Sequence, residues 1–126
     1  MDKNFNLAGV WEGQINGVSK TKENEKSSLW SPADNSDFFT FNIKIDVEKH
    51  KNGQVVATIS NKSNPDDKPS KIYGIESNLE NKVYLSNYFG SFIWNVKDSN
   101  TFEHIFRFHS QNKQHAECIG LLKKIK

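Results

Sequence analysis

The sequence predicts an all-β protein folded as a single eight-stranded antiparallel up-and-down barrel, on three observations. Residues 38–49 read Phe-Phe-Thr-Phe-Asn-Ile-Lys-Ile-Asp-Val-Glu-Lys. From Phe39 the odd positions are apolar and the even positions polar, the period of a strand with one face in an apolar interior and the other in water. Similar segments recur along the chain at short intervals, separated by turn residues, and no amphipathic helix longer than a turn or two is visible. Closing such a sheet on itself removes the exposed edges that an open sheet would leave.

The elements follow in order. The first strand spans residues 10–18. A long polar connection, residues 19–37, follows, with Leu29 and Trp30 as its only large apolar residues. The second strand runs to Lys49, and His50-Lys51-Asn52-Gly53 supplies a turn. Asn-Gly favours the left-handed conformations of a tight hairpin, so residues 54–61 form the third strand, paired with the second. Residues 62–70, with Pro65, Asp66, Asp67 and Pro69, form a loop. The fourth strand is 71–77. Asn78-Leu79-Glu80-Asn81 turns into the fifth, 82–88, and Gly90 separates that from the sixth, 91–97. Asp98-Ser99-Asn100 turns into the seventh, 101–109, and a short polar connection leads to the eighth, 115–124.

Composition narrows the function classes. The chain has 126 residues, enough for one domain with a real core and no staples. Its net charge is +2, and every basic residue but Arg107 is Lys, interspersed with Asp and Glu. That is not the concentrated, Arg-bearing face that nucleic acids select, so no nucleic-acid partner is expected. A lone cysteine, Cys118, precludes an internal disulfide and suits a reducing compartment. No signal-like or membrane-spanning apolar stretch is visible, which leads to an expectation of a cytoplasmic protein without a membrane span.

Parity assigns the interior. Phe39, Phe41, Ile43, Ile45 and Val47 point inward, as do Val55, Ala57 and Ile59, then Val83 and Leu85, Phe92, Trp94 and Val96, and Phe102, Phe106 and Phe108. His104 falls on the same face, where an ionisable group costs free energy unless it is hydrogen-bonded. It is either a core histidine satisfied by the protein, a polar anchor for a ligand, or an acid–base group. Tyr84, Ser86 and Tyr88 share one face of the fifth strand. Inward they would line a cavity; outward they form a polar-aromatic stripe. Gly13, Ala57, Gly74 and Gly120 leave room inside if they face that way. Trp30 is either a plug for the barrel mouth or an exposed contact for another protein. The four histidines lack metal-site spacing, although His109 and His115 approach across the last hairpin, and neither a metal nor a cofactor is expected. No Ser-His-Asp order, phosphate loop or carboxylate pair stands out.

Gly9-Val10-Trp11 places a Gly-x-Trp at the start of the first strand. That signature resembles the calycin superfamily of lipocalins, fatty-acid-binding proteins and avidin-like barrels. The resemblance implies that Trp11 packs across the closed end beneath a basic side chain, Lys123 or Lys124, where those families usually carry Arg. It also implies that residues 19–37 fold over an open mouth. The biotin-binding polar set and the Arg-x-Tyr carboxylate clamp are absent, so the resemblance stops at the superfamily.

Two functions follow as expectations. One is non-enzymatic binding of a small, mostly apolar molecule, with Trp30, Phe39, Phe41, Tyr84, Trp94, His104 and Phe106 as candidate ligand-lining residues. The other is a filled barrel that binds a protein through loops 19–37 and 62–70. An enzyme with its site inside the barrel is the weaker third.

Overall fold

A computed structural model describes residues 6–20, 36–109 and 115–126. Eight strands, β1 (Gly9–Lys20), β2 (Ser36–Lys51), β3 (Gln54–Asn61), β4 (Ser70–Ser77), β5 (Lys82–Ser86), β6 (Gly90–Asp98), β7 (Thr101–His109) and β8 (His115–Lys124), form a closed barrel. Each pairs antiparallel with its sequence neighbour, and β8 returns to β1 with Trp11 opposite Lys124 and Lys20 opposite His115. Among the described residues no helix is long and apolar enough to cross a membrane.

Local chemistry sets the corners. Lys51 pairs with Gln54, leaving the two-residue turn Asn52-Gly53, whose φ values of 54° and 79° are both in the left-handed region. Asn tolerates that region and Gly enters it freely, so the dipeptide suits this turn. Asp98 accepts the Asn100 amide at 2.8 Å to start the β6–β7 corner. Asn87 accepts the amides of Phe89 and Gly90 at 2.8 and 3.2 Å. That side chain-to-backbone capture draws the chain out of the ladder, so β5 ends at Ser86 and Tyr88 lies beyond it rather than in it.

The strand directions give the barrel two unlike ends. At one end lie the tight turns 52–53, 78–81 and 99–100 together with residues 6–8. At the other lie the β3–β4 and β5–β6 loops; residues 21–35 and 110–114, between β1 and β2 and between β7 and β8 in sequence, are outside the described residues. Trp30, and with it the plug or contact expected of it, therefore falls outside the described residues. Ser19, Lys20, Ser36 and Asp37, read as part of the long connection, instead extend β1 and β2 as a pair.

The tight end is filled. Trp11, Trp94 and Phe102 are fully buried there, with ring centroids 4.5 Å apart for Trp11–Phe102 and 4.6 Å for Trp94–Phe102. Leu7 is also fully buried, and its carbonyl accepts the Trp11 indole N–H at 2.9 Å. Lys124 Nζ stands 5.8 Å from the Trp11 ring centroid and donates to the Asn6 carbonyl at 3.3 Å. Lys123 faces outward, because it is one residue out of phase with Leu122 and Lys124. Gly9 has φ +136°, and a Cβ there would lie 2.3 Å from the Lys126 carbonyl oxygen, so both backbone conformation and space require glycine.

The inward glycines do not leave voids. A Cβ at Gly13 would meet Leu122 Cδ2 at 2.5 Å, one at Gly74 would meet Leu85 Cγ at 2.5 Å, and one at Gly120 would meet Ile15 Cγ2 at 2.7 Å. Each glycine is the hole that a larger cross-strand neighbour fills. The space expected from these small residues is already used for packing.

Candidate functional site

Open space remains in the other half of the barrel, as a cavity of about 500 Å³. Its walls are apolar: Phe39 and Phe41 from β2, Phe92 from β6, Phe106 and Phe108 from β7, and Ala116 and Cys118 from β8. Period two delivers these side chains to one face of each strand, and pairing brings them to one level, with Phe92 opposite Phe106 and Phe106 opposite Cys118. Two ring pairs are stacked, Phe39 on Phe41 at 5.0 Å and Phe92 on Phe106 at 4.4 Å. The rim is polar, with Asn87 from the β5–β6 loop, Asn61 from the end of β3, and Asp67 and Lys68 from the β3–β4 loop. That loop is shaped by its own side chains: Asn61 accepts the amides of Ser63 and Asn64 and donates to Asp67 at 3.1 Å.

His104 belongs to the floor, at the boundary between the filled half and the cavity. Trp94 Nε1 donates to His104 Nδ1 at 3.1 Å. An indole N–H can only donate, so Nδ1 is the acceptor and the proton of the neutral ring sits on Nε2. Nε2 is enclosed and, among the described residues, has no hydrogen-bond partner. Burial pushes the His104 pKa down to about 3, so the ring is neutral at physiological pH. A group so placed is a hydrogen-bond donor and a poor general base at neutral pH.

The other sequence-derived candidates divide. Phe39, Phe41, His104 and Phe106 meet around the cavity. Trp94 does not line it; directly across the β6–β7 pair from His104, it acts on the site through that residue. Tyr84 does not reach it: the side chain is 37% exposed on the outer wall and its hydroxyl donates to Glu80. Val83 and Leu85 hold the inward positions of β5, which leaves Tyr84 the outward one. Parity along β8 held the signal for Ala116 and Cys118, which sequence reasoning passed over. The rim residues carry no periodic signal, because loop side chains are placed by turn geometry.

A second polar cluster lies at the closed end. His50 Nδ1 accepts the Leu7 amide at 2.9 Å, while Nε2 meets Glu76 Oε2 at 2.8 Å. Through the Leu7 amide it anchors residues 6–8 across the barrel end. Among the described residues no group of three His, Cys, Asp or Glu side chains is arranged to hold a metal ion.

No protein-family model matches this sequence, and no curated protein is significantly similar to it.

Proposed function

We propose that the protein is a calycin-like carrier: a non-enzymatic barrel that takes a small, mostly apolar molecule into the half nearest the β3–β4 and β5–β6 loops. The observation that carries this reading is the cavity of about 500 Å³, walled by phenylalanines and closed below by His104. Its volume falls in the range of small-molecule sites, about 300–1,000 Å³. Removing an apolar guest from water supplies the affinity, and the few polar groups fix its orientation. Gly9, Trp11 and Lys124, arranged as the calycin resemblance implies for a closed end, support that grouping.

The test is titration with N-phenyl-1-naphthylamine, a neutral apolar fluorophore, alongside native mass spectrometry of gently purified protein. Saturable one-to-one binding is expected, weakened at least tenfold by Ala116→Phe, which fills the cavity from β8. A protein that ignores the fluorophore and carries no small molecule sinks the carrier reading.

A separate observation favours an interaction surface other than the loops 19–37 and 62–70 expected from the sequence. Ile75, Tyr84, Ile93, Ile105 and Ile119 are direct cross-strand partners in succession from β4 to β8 and form an apolar belt on the outer wall. If this belt is the working surface, Ile119→Lys abolishes association with a protein partner, or with a second copy, in sedimentation velocity runs, and leaves fluorophore binding intact.

A further inference from the structure

We propose that the cavity floor selects a neutral ligand that accepts a hydrogen bond: a flat, apolar molecule that points a ketone- or quinone-type carbonyl at His104 Nε2–H and keeps any charge at the rim. This inference rests on the carrier reading and names the ligand class of that site.

Three observations carry it. Trp94 occupies Nδ1, which fixes the free nitrogen of His104 as a donor. That Nε2–H is enclosed without a partner among the described residues, and a buried donor left unmatched is a cost that a ligand acceptor removes. Finally, among the described residues no cation stands at the floor. The side chains around His104 there, Ile15, Ile43, Phe92, Phe106 and Cys118, are uncharged, and the charged lining residues, Asp67 and Lys68, sit on the rim loop.

A carboxylate driven to the floor would surrender its hydration for one hydrogen bond from a neutral imidazole, a poor exchange in an apolar enclosure. The low pKa of His104 agrees, since the ring does not become a counter-ion near neutral pH. A plain hydrocarbon fits the walls but leaves Nε2–H as it found it. A carbonyl carried on a flat ring system matches both the donor and the stacked faces of Phe39–Phe41 and Phe92–Phe106. Because Nε2 is enclosed, docking requires a shift in the floor; the Phe92 ring, 5.6 Å from His104 between centroids, is the neighbour positioned to give way.

The test uses the full chain and three probes of one skeleton: 2-acetylnaphthalene, 2-ethylnaphthalene and 2-naphthoate. Binding is followed by Trp fluorescence and calorimetry, and the carbonyl stretch of the bound ketone by infrared difference spectroscopy. The ketone is expected to bind about tenfold tighter than the hydrocarbon, the gain of one net hydrogen bond. The naphthoate is expected to bind weakest. The carbonyl band of the bound ketone is expected below its position in hexane, and His104→Leu is expected to equalise ketone and hydrocarbon. Equal binding of ketone and hydrocarbon to the wild type, with an unshifted band, overturns the inference and leaves the carrier reading standing. Tightest binding by the naphthoate overturns it as well. Failure of all three probes to bind removes the carrier reading and this inference together. If His104→Leu does not fold, the carbonyl band in the wild-type complex decides.

Discussion

The indole N–H of Trp94 donates to Nδ1 of His104 over 3.1 Å, directly across the β6–β7 pair, and neither residue is exposed to solvent. This one bond sets the ring tautomer, and it lies at the boundary between the filled half of the barrel and the half with space in it.

It also makes folding sensitive to acid. In the folded chain burial lowers the His104 pKa to about 3, whereas an unfolded histidine titrates near 6.5. Below about pH 6.5 the unfolded chain therefore binds a proton that the folded chain refuses, so stability is complete above that pH and is lost as pH falls toward 3. Between pH 6.5 and 4 the wild type should lose roughly 3 kcal/mol more than His104→Gln, whose amide oxygen can accept the Trp94 N–H without taking up a proton. Urea unfolding at both pH values measures the difference. Equal losses in the two proteins would mean that His104 is not held neutral.

Cys118 should be a slow thiol. It is only 6% exposed in the cavity wall, and burial pushes its pKa up to about 11. Because the thiolate is the nucleophile, alkylation by iodoacetamide at pH 8 should run on the order of a hundredfold slower than for a free cysteine. It should slow further when an apolar ligand fills the cavity, and quenched mass spectrometry gives both rates. Rapid labelling of the native protein would place Cys118 somewhere other than an enclosed wall.

The start of β1 should tolerate little change. Gly9→Ala introduces a side chain at φ +136° against the Lys126 carbonyl oxygen and is expected to cost about 3 kcal/mol. Lys124→Ala removes a cation from the Trp11 face and should cost only about 1 kcal/mol. Thermal unfolding ranks the two, and the reverse order would contradict this account of the closed end.

His50 should act as a latch for the segment before β1. His50→Phe leaves the Leu7 amide without its acceptor and Glu76 without its donor, at an expected cost of about 2 kcal/mol. Hydrogen exchange at the Leu7 amide should accelerate in this variant by more than the change in global stability explains. Unchanged protection would show that packing of Leu7, not the His50 bond, holds the segment.

Much of this molecule can be read from residues 38–49 and their counterparts, because a strand's two faces are written into alternate positions. The inward side chains of β2, β3, β6 and β7 follow that rule, and Asn52-Gly53 announces its corner for an equally local reason. The end of β5 was harder to read, since Tyr88 continues the alternation and only the capture of two amides by Asn87 turns the chain away. Tyr84 shows the limit of alternation where both faces carry large residues. Its place outside follows from Val83 and Leu85 taking the interior.

By itself, then, the sequence determined the number of strands, their apolar faces and most of their corners, all properties of neighbours a few residues apart. Which end of the barrel is full was decided by tertiary structure. Trp11 from β1, Trp94 from β6 and Phe102 from β7 meet in one cluster only because closure and register bring distant strands together. The same cross-strand register puts Trp94 against Nδ1 of His104 and leaves Nε2–H unmatched. Alternation assigns a side chain to the inside, but which atoms it meets there depends on strands far away along the chain.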